Sequence, residues 1–397
     1  MKKIEQEMRP SGNEVKPQVK VTVFGDFVPS KETAGSILSS RNCLALIEIE
    51  SLLEISDLSI VNLESPLSIG GKKRADLSYY HKSSPELAHA LKRAGFSIAC
   101  LANNHIRDLS DEGVHDTIRA CKDAGLDVVG AGANIQTAAT PLIRNTNGIK
   151  IAFIAVAENE LSIATESSPG ANPLDPITNC SAIIQLKKAV DHVVVILHGG
   201  NEYWSFPRPG LVKLCRHYVD VGASAIVCHH THVFGGYEIY KGAPILYGLG
   251  NFLFDRKKPI PTGWNHGLVA SFTFSKTELL SNQMIPIENI GGRIVILKDS
   301  KKQSVLDRVE EIANVISDSK LLRSEWEQYC AQRYDDYIEY VSCLGFIERN
   351  LRPIFPRLIE KTTAKRVKTL FNIVNCESHR ELLLETLSMY LNSYWKD

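Results

Sequence analysis

The chain has 397 residues, 44% of them apolar and 23% charged, and its 45 basic residues balance 45 acidic ones. This is the composition of an ordinary globular protein. A zero net charge excludes a dedicated nucleic-acid binder and a surface held to anionic lipid by charge alone. No window reaches the ~18 consecutive apolar residues that a membrane-spanning helix needs, so no transmembrane segment is expected. Met1 to Lys20 is polar and lacks the apolar run of a secretory signal. Nine cysteines, odd in number and without a C-x-x-C pair, read as reduced thiols. The expected compartment is the cytoplasm, at most peripheral to a membrane.

In chain order, residues 1–18 read as a disordered lead-in. Short β-branched runs follow at 19–24, 58–63, 96–101, 126–130, 150–156, 192–197, 223–228, 244–247 and 268–274. Amphipathic stretches at 85–94, 111–124, 181–190 and 209–221 lie between several of them. Strands alternating with helices predict an α/β domain over 19–275 with a largely parallel, twice-covered sheet and an antiparallel part near its end. Residues 276–304 read as a mixed junction. From 305 to 397 the spacing turns helical, at 306–316, 321–340, 356–374 and 378–394.

The chemistry gathers at strand ends. The first run ends in Gly25-Asp26, the second in Asn62-Leu63-Glu64, and the third in Asn103-Asn104-His105 with Asp108 beyond. Two later runs end in His198-Gly199-Gly200-Asn201-Glu202-Tyr203 and in His229-His230-Thr231-His232. Parallel strands present their C-terminal ends along one edge, where ligands bind. Carboxylate and imidazole donors without a cysteine pair suit Mn, Zn or Fe. Taken singly, Gly25-Asp26 reads as a turn and His198 as a satisfied edge histidine. Their repetition at five strand ends is what points to a shared site.

These residues resemble the CapA, or capsule and poly-γ-glutamate synthesis, family, a branch of the calcineurin-type metallophosphoesterases. The likeness covers residues 20–275. It runs through the motifs just quoted to Tyr247-Gly248-Leu249-Gly250-Asn251-Phe252. It implies a four-layer α/β/β/α sandwich, followed here by the helical extension, and a site for one or two divalent metal ions. By motif position, Asp26 would be a first-metal ligand and Glu64 the carboxylate between metals. Asn104 and His198 would be further ligands, with His229, His230 and His232 completing the shell. His105 would be the acid near the leaving group, paired with Asp108. Asn103 falls among the residues around the substrate.

The chain departs from the phosphoesterase pattern at Val28, where a histidine is usual, and at Glu64, where aspartate is usual. It departs from the CapA branch at Gly199, usually Trp, and at Cys228 and Thr231, usually Gly and Pro. Which of His229 and His230 faces a metal stays open.

A metal-dependent hydrolase of a phosphoester, or of an amide or ester in an anionic polymer, is the first functional expectation. The alternative is a non-catalytic assembly or polymer-binding subunit of a polymer synthesis or export complex. Glu202 and Tyr203 could orient His198 or merely pack at the edge. Asn251 could brace a loop or touch substrate. Residues 349–368, with Arg349, Arg352, Arg357, Lys361, Lys365, Arg366 and Lys368, read either as a solvated face or as a docking surface for an anionic polymer, a lipid face or polymer-synthesis subunits. Trp326, Tyr329, Tyr334, Tyr337 and Tyr340 read as core.

Overall fold

The computed structural model describes residues 17–39, 45–75, 77, 79–256, 259–341 and 354–394. Nearly all of the lead-in lies outside these residues, as do Arg349, Arg352, Cys43 and Cys343.

The first sheet begins with four parallel strands, β1 (Val19–Val28), β2 (Leu58–Leu63), β3 (Ile98–Cys100) and β4 (Asp127–Val129). β5 (Ala131–Gly132) pairs only with β8 (Gly170–Ala171). The second sheet holds β6 (Leu142–Thr146), β7 (Ile149–Ala157), β9 (His192–His198), β10 (Ala225–His229), β11 (Tyr237–Tyr240) and β12 (Ala243–Leu246). Its strand order is β11-β12-β10-β9-β7-β6. The chain then returns to the first sheet. There β13 (Asn251–Phe254) runs parallel to β1, while β14 (His266–Phe274), β15 (Leu279–Ile290) and β16 (Arg293–Ile296) extend the sheet antiparallel.

Side-chain alternation sorts the layers. Val194 and Ile196 of β9 and Phe153 of β7 share one core with Val23, Val61 and Phe252 of the first sheet. Val193, Val195 and Leu197 of β9 face the other way, onto Ile183, Leu211, Cys215 and Tyr218 of two outer helices. Those helices are Pro176–Lys187 and Pro209–Asp220; Glu86–Ala94 and Ser110–Asp123 cover the first sheet. The result is the expected α/β/β/α sandwich. The seven described cysteines form no disulfide, and no described helix is long and apolar enough to cross a membrane.

Several elements differ from the sequence expectation. The junction 276–304 is mostly strand: β15 and β16 complete the first sheet. The first half of β15 is exposed, so its polar residues hide the strand alternation. The helix expected at 181–190 starts earlier, because Asp175 caps the Ile177 N–H and Pro176 occupies the first turn. The helix expected at 321–340 divides at Arg333 into Ser319–Gln332 and Tyr334–Val341.

The helices Ser319–Gln332, Tyr334–Val341, Pro356–Asn375 and Glu377–Tyr394 meet in a third core of Trp326, Cys330, Tyr337, Ile373, Leu382 and Leu383. Tyr329 stacks at 4.5 Å on Trp204, so the helical layer leans on the loop after β9. Tyr334 is only half-buried, and the side chain of Tyr340 lies outside the described residues.

Gly25 aims Asp26. A Cβ at Gly25 would stand 2.1 Å from the carbonyl oxygen of Gly250, the residue just before β13, a backbone atom that cannot yield locally. Gly25→Ala should therefore lower stability by about 1–3 kcal/mol, as overpacking does, measured by urea unfolding.

Candidate metal centre and active site

The donors converge from two sheets rather than from one edge. β1 and β2, with the loop after β3, bring Asp26, Glu64 and Asn104 from the first sheet. β9 and β10 bring His198 and the histidine cluster from the second. A single-sheet reading misses this because a sequence shows strand ends, not which sheet each strand joins.

Asp26 and Glu64 are fully buried. Asp26 Oδ1 accepts from Asn62 Nδ2 at 2.7 Å and lies 3.4 Å from His229 Nδ1. Its Oδ2 lies 3.3 Å from His232 Nδ1 and 3.4 Å from the His230 backbone N–H. His198 Nε2 stands 3.0 Å from Asn104 Oδ1, 3.1 Å from His230 Nδ1 and 3.5 Å from Glu64 Oε1. His232 Nε2 is 4.0 Å from the same Glu64 oxygen. Three overlapping groups could each hold a cation: Glu64, His198 and His230; Asp26, Glu64 and His232; and Glu202, His230 and His232. Of the two open histidines, His230 joins two of these groups and His229 none.

Electrostatics mark the same spot. Burial would raise the Asp26 carboxyl, but hydrogen bonds and positive charge from His229 and His232 outweigh it and hold it well below the usual range. Burial pushes Glu64 well above that range, reinforced by the negative charges of Asp26, Glu202, Asp108 and Glu160. Both Glu64 oxygens and His229 Nε2 are buried without a hydrogen-bond partner among the described residues, and His229 Nδ1 has only its long contact to Asp26. Buried polar atoms are rarely left so, and crowded carboxylates with orphaned lone pairs fit a divalent cation. The backbone is strained here too: His230, His232 and Tyr203 have φ of 86°, 57° and 63°, a region that non-glycine residues seldom enter.

The remaining expected residues brace the donors. Asn103 donates to the Leu63 carbonyl and accepts the His105 N–H, fixing the loop after β3. His105 Nδ1 is 2.8 Å from Asp108 Oδ2, which also accepts the His81 N–H at 2.7 Å. Asn251 does the bracing expected of it, donating to the Trp264 carbonyl, and its Oδ1 also meets His232 Nδ1 at 3.1 Å.

Glu202 and Tyr203 do not orient His198. Glu202 sits beside His230 and His232, and the Tyr203 ring packs 6.1 Å from His232, its hydroxyl accepting from Arg256. His198 is held instead by Asn62, whose Nδ2 lies 3.1 Å from its Nδ1.

Four further residues escape a reading by strand ends. Asn62 is one, although its place two residues before Glu64 was the available signal. His81 packs edge-on against His105 at 4.4 Å, and burial, with the charges of His105 and His232, lowers its imidazole to about 2. Glu160 lies 3.7 Å from His230 Nε2. Glu158 is buried and ion-paired to Arg208 at 2.6 Å. A Cβ at Gly199 would meet the Glu158 side chain at 2.5 Å, so a tryptophan has no room there.

Glu158 also ties the extension to the site. Its Oε2 accepts the Ser378 N–H, and Arg208 reaches on to Glu381 at 2.9 Å. Asn159 gives its N–H and side-chain amide to Glu377.

A family model described as bacterial capsule synthesis protein PGA_cap matches residues 20–256. The chain belongs to that family. Among the relatives of this chain, the capsule biosynthesis protein CapA of Bacillus anthracis is 34% identical over 245 residues, 59% of this chain and 60% of that protein. The PGA biosynthesis protein CapA of Bacillus subtilis (strain 168) is 30% identical over 307 residues, 73% of this chain and 79% of that protein. A solved structure, a putative 5'-nucleotidase from Staphylococcus aureus, aligns at 13% identity and a TM-score of 0.45, covering 74% of this chain and 58% of that one.

Two outcomes follow from the bracing. Asn62→Ala should weaken metal binding about 10–100-fold, as loss of an outer partner does, read by competition with a metallochromic dye. Arg208→Ala strands a buried carboxylate and should cost about 3–5 kcal/mol in urea unfolding, while Glu158→Gln with Arg208→Met should recover most of it.

Proposed function

We propose that this capsule synthesis family protein is a metal-dependent hydrolase working within capsule or poly-γ-glutamate production. Its bond would be a phosphoester, or an amide or ester in an anionic polymer. The observation that carries the reading is the buried meeting of Asp26, Glu64, Asn104, His198, His230 and His232, with both Glu64 oxygens unsatisfied among the described residues.

Those six residues would hold one or two ions of Mn, Zn or Fe, with His229 behind Asp26. When bound, such an ion supplies activated water and neutralises charge on the scissile group. The protein's own part is to hold and move protons. Asp108 fixes the Nδ1 edge of His105, so the opposite Nε2 is the atom placed to give a proton to a leaving group. His81, packed on the same ring and kept neutral, adds no competing charge. Trp264, over which Arg256 lies at 5.1 Å, walls the His232 side of the site.

Val28 favours the second reading, a non-catalytic assembly or polymer-binding subunit. It stands two residues after Asp26 and packs with Phe254 and Trp264 in a small apolar cluster, so that position offers no ligand for a second ion.

Protein purified without a tag or chelator should carry about one to two equivalents of Mn, Zn or Fe by mass spectrometry, a count set by the donors available. Asp26→Ala/His198→Ala should lose the metal while keeping its fold. Hydrolysis found by screening phosphoesters and glutamyl amides should drop about 10²–10⁴-fold in His105→Ala at unchanged metal content. Full function of the Asp26→Ala/His198→Ala variant in a producing cell would leave the assembly reading standing instead.

A further inference from the structure

Strand pairing decides what surrounds Val28, which stands where the phosphoesterase pattern has a metal-binding histidine. β13 runs parallel to β1 with Phe254 in register with Val28. Trp264 closes the cluster, its Nε1 donating to the Phe254 carbonyl at 2.8 Å. The indole is almost fully buried, and its ring lies 5.1 Å from that of His232. These three side chains offer a cation no ligand; they form an apolar floor beside the centre.

The chain leaves β13 through Asp255 and Arg256. Asp255 spends its oxygens on the Ser30 N–H and the Asn289 amide. Arg256 is exposed, and its guanidinium lies over two rings, 5.1 Å from the centre of Trp264 and 5.4 Å from that of Tyr203. It donates to the Tyr203 hydroxyl at 2.7 Å, its one hydrogen bond among the described residues, where it makes no ion pair. A guanidinium has more N–H groups than that bond uses. Stacked on aromatic faces, it is held in place while its free edge can still meet an oxyanion.

The position of Arg256 can be triangulated. Both rings beneath it border His232, Trp264 at 5.1 Å and Tyr203 at 6.1 Å. On the other flank, burial raises the Tyr79 hydroxyl and the Arg256 charge opposes that rise. Tyr79 in turn packs edge-on against His81 at 4.9 Å and His105 at 6.5 Å. The guanidinium therefore stands between the His232 flank and the His105 flank.

We infer that Arg256 supplies the second positive charge of the centre, gripping a non-bridging oxygen of the group being cleaved while Asp26, Glu64, Asn104, His198, His230 and His232 hold a single ion. This rests on the hydrolase reading and deepens it. A fixed donor aimed at charge that develops in the transition state costs no reorganisation as the bond breaks. No proton leaves or joins Arg256 in the step. Val28 then serves the site rather than marking its loss, because an apolar residue there packs the tryptophan on which the guanidinium rests.

The test uses the full chain loaded with Mn(II) and titrated calorimetrically with methylphosphonate, a small tetrahedral oxyanion. Wild type should hold about one equivalent of Mn by mass spectrometry, the count that a single set of donors allows. Arg256→Gln should weaken methylphosphonate about tenfold or more, the loss expected when charged hydrogen bonds are removed. Its Mn content and melting temperature should match wild type. Lys276→Gln, the same charge change on an exposed residue elsewhere, should leave affinity as it is.

Equal affinity in Arg256→Gln and wild type overturns the inference and leaves Arg256 as a cover for Trp264. Two tightly held equivalents of Mn in wild type, or no saturable binding of methylphosphonate to it, overturn the inference as well. Failure of the hydrolase reading looks different: wild type and Asp26→Ala/His198→Ala would hold equally little Mn, and the inference would fall with it.

Discussion

Two carboxylates with no access to water, Asp26 and Glu64, share the space where the two sheets end, and like charges buried together are costly. The surroundings can be understood as the answer to that cost. Asp26 is wrapped in donors, Asn62, His229, His232 and the His230 backbone, and remains ionised. Glu64 receives no such wrapping and is pushed the other way. The asymmetry leaves one carboxylate unsatisfied beside His198, His230 and His232. A protein with no use for a cation here could replace Glu64 by an apolar residue and gain stability.

The helical extension belongs to the same economy of charge. Arg208 neutralises buried Glu158 and continues to Glu381, while Asn159 is clasped by Glu377. Glu158, Asn159 and Glu160 follow directly on β7, and Glu160 faces His230. The C-terminal helices are therefore fastened to the loop that borders the site. They press on its other border as well, through Trp204 against Trp326 and Tyr329.

Much of this was legible in the sequence. Every expected strand at 19–24, 58–63, 150–156 and 192–197 forms, because β-branched runs ending in polar residues leave little alternative. The motif residues Asp26, Glu64, Asn104, His198, His230 and His232 do meet. What stayed hidden depends on contacts between distant segments. The partner of His198 is Asn62 and not its own neighbours Glu202 and Tyr203, since only the pairing of sheets puts Asn62 beside it. β15 was hidden by its exposed half. Glu158 and Arg208 look like surface charges until the chain folds them onto each other. Glycine at 199 gains its reason only once Glu158 crosses over it.

Because the donors come from two sheets, the centre also gauges how those sheets lie against each other. Asp26 and Glu64 ride on one slab, His198 and His230 on the other, and the packing of residues such as Phe153, Val194, Ile196 and Phe252 helps to set their spacing. A slip between the slabs too small to unfold either would pull the histidines away from the carboxylates. Substitutions deep in that shared core, far from any donor, would then loosen ion binding while both sheets stayed intact. Affinity for the ion would serve as a vernier on the alignment of the whole sandwich.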